Sequence, residues 1–160
     1  EPCRTLLAVR GATEAPVVES GWVGRLGPDW WLVDAPPSEA VALEAPLAAE
    51  VRSQVGDGVS VVDVSCHRTV VVLDGDDARA VLAHGCSIDL HPRTFGRGRA
   101  AQTTVGLAGV ILLALSESGD DYLVMVRSSF AGYLADWLLD AAAEFAAPAT
   151  DPGPAALAGC

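Results

Sequence analysis

Residues 122–145 read YLVMVRSSFAGYLADWLLDAAAEF. The first five residues, Tyr122 to Val126, are apolar and rich in β-branched and aromatic side chains, which predicts a strand. Ser128 or Ser129 then offers a side-chain oxygen to cap a helix. Beyond it, Phe130, Leu134, Trp137, Leu138, Ala141 and Phe145 recur at steps of three and four, while Asp136, Asp140 and Glu144 repeat every four on the other side. That spacing predicts an amphipathic helix laid on a sheet. A strand feeding such a helix points to the α+β class.

Upstream, the same order recurs more faintly. Gly21 to Leu26 and Trp30 to Val33 predict two strands joined by the tight turn Gly27-Pro28-Asp29. Pro36-Pro37-Ser38 ends the second strand, and Ser38 is a candidate N-cap for a helix running towards Gln54. That helix is either kinked at Pro46 or begins there; it is expected between Leu47 and Ser53 and closed by Gly56-Asp57-Gly58. The echo supports two strand-plus-helix lobes in one α+β domain over residues 21–146. Residues 1–20 form a weakly patterned N-terminal segment in which Leu6 to Val9 could be a strand. Residues 147–160, rich in Pro and small residues, are expected to be a disordered tail.

Between the lobes, Val59 to Val64 and Thr69 to Leu73 predict strands. Asp74-Gly75-Asp76 predicts a turn into a short helix capped by Asp76, with Ala78, Val81 and Leu82 facing inward and Gly85 ending it. Residues 87–98 are irregular. Gln102 to Leu115 predicts two strands divided near Gly109, and Glu117 to Asp121 a hairpin turn.

Composition narrows the function. The 160 residues carry a formal net charge of −11, and every basic side chain apart from three His is Arg. A chain this acidic repels phosphate backbones, which excludes nucleic acid as a partner. Arg93, Arg97 and Arg99 read as a solvated loop or one that docks on an acidic partner. No stretch reaches the roughly 20 apolar residues of a membrane helix, and no signal peptide follows Glu1-Pro2, so the expected location is cytoplasmic. Cys3, Cys66, Cys86 and Cys160 form no C-x-x-C pair and no disulfide framework. Cys66 and Cys86 are expected to be buried as small hydrophobes.

The candidate chemistry is thin. Cys66, His67, His84, Cys86 and His91 are zinc-type ligands, but adjacent residues on a strand diverge and the tight pairs of zinc motifs are missing. Cys86 follows a helix end, where the dipole raises a thiol pKa, the wrong direction for a nucleophile. Asp74, Asp76, Asp77, Asp120 and Asp121 are explained by turn and cap chemistry. Gly96-Arg97-Gly98-Arg99 lacks the layout of a phosphate loop. No catalytic or cofactor-binding residue is therefore assigned.

Four stretches carry a resemblance. They are Arg25 to Leu32; Val62 to Ser65 with His67-Arg68 and Leu73 to Arg79; Leu82 to Arg93 with Phe95, Gly98 and Ala101-Gln102-Thr103; and Tyr122 to Ala131 with Tyr133-Leu134 and Trp137-Leu138. The third, G-C-x-I-D-L-H-P-R followed by A-Q-T, is the most specific. In this order the stretches resemble the gamma subunit of heterotetrameric sarcosine oxidase. The resemblance implies a glycine-cleavage T-protein-like, folate-binding type of fold. It also implies a non-catalytic subunit that docks on the alpha subunit, in a complex with beta and delta subunits that oxidises sarcosine to glycine. FAD, FMN, NAD and tetrahydrofolate are implied for the assembled complex, zinc for the delta subunit, and no cofactor for this chain. A small folate- or amine-binding protein of the aminomethyltransferase type is the alternative.

Six residues are candidates for the partner interface. Trp30 and Trp31 are adjacent on a strand and point to opposite faces, so one faces away from the core. Asp89, His91 and Arg93 share one irregular loop; they fix it by hydrogen bonds and ion pairs, bind a partner, or line a pocket. Arg127 pairs with one of those acids or reaches across an interface.

Overall fold

Residues 121–143 hold the last described strand and the last described helix of the fold. The computed structural model describes residues 5–18, 21–35, 45–46, 49–50, 52–53 and 58–146. Four strands, β1 (Thr5–Arg10), β2 (Trp22–Gly27), β3 (Trp30–Ala35) and β4 (Ser60–Asp63), make one antiparallel sheet in the order β2-β3-β1-β4. Four more, β5 (Arg68–Asp74), β6 (Ala100–Val105), β7 (Ala108–Ala114) and β8 (Asp121–Arg127), make a second in the order β5-β8-β7-β6. Two helices, α1 (Ala78–Ala83) and α2 (Ala131–Ala143), belong to the second half of the chain.

Strand periodicity sorts the core into three layers. On β8, Tyr122, Val124 and Val126 meet the helices, together with Val110 and Leu112 of β7 and with Val81, Leu82, Leu134 and Leu138. Leu123 and Met125 point the other way and meet Ile111, Leu113 and, from the first sheet, Leu6 and Leu32. The outer face of the first sheet buries Leu7, Val9, Val33 and Val61, with Trp31 against them. Strands covered on both faces read as unbroken apolar runs, as β7 and β8 do.

The same physics hid β1. Leu6, Leu7 and Val9 are all at most 1% exposed, so the segment has no inside-outside alternation to read. β1 is therefore part of the folded unit although it lies upstream of the boundary expected at residue 21, and it sits between β3 and β4.

Several local expectations need correction. The β6–β7 turn falls at Gly106-Leu107; Gly109 lies inside the ladder opposite Thr104. Gly106 has φ +57, and a Cβ there would sit 2.7 Å from Tyr133 Oη, so only glycine suits this turn. Neither Ser128 nor Ser129 caps α2: both lie in a 3-10 turn, the N-cap is Phe130, and it makes no side-chain capping bond. Ser128 instead directs its hydroxyl to the Cys66 carbonyl, 3.3 Å away. Phe130 is 45% exposed and meets Tyr133 edge-on rather than the core. Asp77, not Asp76, holds the N-cap position of α1, again without a side-chain bond; the Ala78 N–H donates to the Gly75 carbonyl at 2.9 Å. Cys66 is exposed and Cys86 only half-buried. In the region expected to be helical before Gln54, residues 45, 46, 49, 50, 52 and 53 are helical; the caps and bounds proposed there lie outside the described residues, as does the tail 147–160.

Candidate functional site

Arg68 opens β5 and Arg127 closes β8, and they are direct partners in the antiparallel register. Like charges directly opposite one another destabilise a sheet. Both have the parity of Val70, Leu123 and Met125, so both belong to the face turned towards the first sheet. There they edge a cleft of about 320 Å³ with Gln102, Gly109 and Ile111. Burial, and then the neighbouring charge of Arg127, hold the Arg68 pKa below its ordinary value. Among the described residues, no carboxylate forms an ion pair with either arginine.

A second cavity of about 210 Å³ adjoins the first and shares Arg68 and Ile111 with it. Its other walls include Ala8, Arg10, Trp30, Leu32 and His67. Arg10 and Trp30 are register partners across β1 and β3, and the Arg10 guanidinium carbon sits 3.9 Å from the Trp30 ring centroid. This cation–π stack holds one face of the guanidinium and leaves its N–H edge free to donate. The Trp30 indole N–H is buried and has no acceptor. The two cavities together form an inter-sheet cleft with three arginines, a histidine and no carboxylate among its described lining residues.

The six interface candidates separate in space. Trp30 and Arg127 both line the inter-sheet cleft. Trp31 lies on the outer face of the first sheet, where its indole N–H donates to the Ala12 carbonyl at 2.8 Å. Asp89, His91 and Arg93 form a self-fixed loop elsewhere: the His91 N–H donates to Asp89 Oδ1 at 2.9 Å and the Arg93 N–H to His91 Nδ1 at 3.2 Å. The His91 amide, then the Thr94 hydroxyl, hold the Asp89 carboxyl below its usual pKa. Asp89 and His91 line a third cavity, with Arg79 and Leu90. Arg127 thus neighbours Arg68 rather than an acid of that loop.

From the sequence, Arg10, Arg68 and Gln102 carry no site role, and His67 is considered only as a zinc-type ligand. Arginines at strand ends are a visible signal, but which ends meet depends on the register. Among the described residues, no three metal-ligating side chains come together. The His84 Nδ1–H donates to the Ala80 carbonyl at 3.0 Å, its Nε2 lies 2.9 Å from Glu144 Oε2, and Cys86 Sγ lies 3.9 Å from Thr103 Oγ1.

Residues 7–144 match the model of the "Sarcosine oxidase, gamma subunit family". The chain belongs to this family. It is 39% identical over 140 residues to the sarcosine oxidase subunit gamma of Arthrobacter sp, covering 88% of this chain and 63% of that one. It is 39% identical over 130 residues to the subunit of the same name from Corynebacterium sp. (strain P-1), covering 81% and 60%. The chain therefore spans about three fifths of the length of these curated relatives. Among solved structures it is similar to a chain of heterotetrameric sarcosine oxidase from Corynebacterium sp. U-96 in complex with pyrrole 2-carboxylate. That match has a TM-score of 0.73 at 29% identity, over 93% of this chain and 84% of the other. The glycine cleavage system aminomethyltransferase T from Bartonella henselae matches at a TM-score of 0.58 and 19% identity, over 85% of this chain and 43% of that one, which shows a shared fold.

Proposed function

We propose that this chain is a non-catalytic assembly subunit of a heterotetrameric sarcosine oxidase and docks on the alpha subunit, alongside beta and delta. The observation that carries the reading is the family match over residues 7–144, with a fold similar to one chain of such a complex. FAD, FMN, NAD and tetrahydrofolate belong, in this proposal, to the other subunits of the assembled complex. The chain contributes shape and surface to the oxidation of sarcosine to glycine. No described helix is long and apolar enough to cross a membrane, and a cytoplasmic location is part of the proposal.

The test is co-purification from the native host with the chain tagged. Recovery of flavin-containing partners with sarcosine-dependent peroxide formation supports the reading. Recovery of the chain alone, colourless and carrying folate, refutes it and promotes a small folate-binding protein.

A further inference from the structure

Four groups that carry or can acquire positive charge, Arg10, His67, Arg68 and Arg127, gather in the inter-sheet cleft of a chain whose net charge is −11. Against so acidic a background, a cluster of this sign attracts an acidic partner. The arrangement costs the isolated fold stability, because Arg68 and Arg127 face each other across the ladder with no carboxylate between them among the described residues. An anion placed there removes the repulsion. We propose that the cleft edged by Arg10, Arg68 and Arg127 is the seat of an acidic segment of a partner subunit, an inference that rests on the assembly reading above. The occupant is a protein segment rather than a free acid because the charges are spread over two adjoining cavities, and Arg10 and Arg127 are exposed at their rims. An extended chain carrying several carboxylates can meet all three arginines, each guanidinium being able to take a carboxylate with two parallel bonds.

The experiment co-expresses the full chain with the other subunits of its complex and measures assembly at several salt concentrations. The forms compared are wild type, Arg68→Gln, Arg127→Gln and the double variant. The double variant is expected to associate about tenfold more weakly or worse, with a shallower salt dependence. Its isolated chain is expected to melt at the wild-type temperature or above, since the like-charge pair is gone. A role confined to folding would lower both readings together. Equal affinity and equal salt dependence of the double variant and wild type overturn this inference while leaving the assembly reading intact; failure of the wild-type chain to associate with any subunit removes both. Citrate is titrated separately into the isolated chain. Saturable, submillimolar citrate binding that all three variants lose, with assembly unchanged, overturns the proposal in favour of a free small acid.

Discussion

Gly85 ends α1 inside the most specific sequence motif of the chain, and its substitution isolates a steric cause. A Cβ on Gly85 would lie 2.5 Å from Trp137 Cζ2 and 2.8 Å from the Gly106 backbone nitrogen. Gly106 N–H also donates to the Gly85 carbonyl at 3.1 Å, so helix end, turn and α2 meet at one point. Indole could swing aside; the Gly106 backbone has far less freedom. Overpacking of this kind costs about 1–3 kcal/mol. At roughly 2–4 °C per kcal/mol for a chain of this size, Gly85→Ala should lower Tm by about 2–12 °C. Urea unfolding of Gly85→Ala, Trp137→Leu and the double variant separates the two clashes. Relief of the ring clash alone should appear as a coupling of about 0.5–3 kcal/mol, with a residual deficit from Gly106. A Gly85→Ala variant within ~0.5 kcal/mol of wild type would refute the reasoning.

Further outcomes follow from the core and from the charges at the strand ends. Leu134→Ala, at a fully buried position, should cost about 2–5 kcal/mol, and Leu139→Ala, 72% exposed on the same helix, under ~0.5 kcal/mol, by urea unfolding. Tyr122→Phe should leave stability unchanged or raise it by about 1 kcal/mol, because the buried hydroxyl has no partner; a loss above that value would show that the hydroxyl is bonded. Adjacent aspartates should titrate in opposite directions by carboxyl NMR. The Ser116 and Ser118 hydroxyls hold Asp120 below the ordinary aspartate pKa, while burial, then Asp74 and Asp120, push Asp121 above it. Asp120 therefore contributes stability that is full above the unfolded pKa and is lost as pH falls through its lower folded value. Asp121 has the opposite sign: its ionised form opposes folding, and stability is recovered as pH falls through its raised folded pKa towards the unfolded one. Asp74→Asn should move Asp121 back towards the ordinary value, since the two are register partners.

The Tyr122–Phe145 unit was legible because an unbroken β-branched run followed by a 3.6-residue period leaves few alternatives. Leu134 and Leu138 are buried as the period requires. The caps were not, because serine at a strand-to-helix junction can serve any nearby acceptor, and Ser128 serves Cys66. β1 was obscured by burial on both faces, and the β6–β7 turn by two glycines three residues apart, of which only Gly106 has positive φ. At the candidate site, Trp30 and Arg127 were chosen for their residue type and place on a strand. Arg68, Arg127 and Arg10 became a set only through register and sheet stacking, which join residues far apart in the chain.

Each sheet is drawn from one uninterrupted length of chain, residues 5–63 for the first and 68–127 for the second. Ser65 stands at the joint between them, accepting the Leu6 N–H on its hydroxyl oxygen at 2.9 Å, while the Val64 N–H donates to the Leu6 carbonyl at 2.8 Å. During synthesis, the first sheet can close before any strand of the second has left the ribosome. Until β7 and β8 arrive, the Leu6 and Leu32 face has nothing to cover it, and that half-made protein is the form most in need of a chaperone. Severed near residues 64–67, the chain would yield two fragments, each with a whole sheet and one unsatisfied apolar face, the starting material for reassembly by fragment complementation.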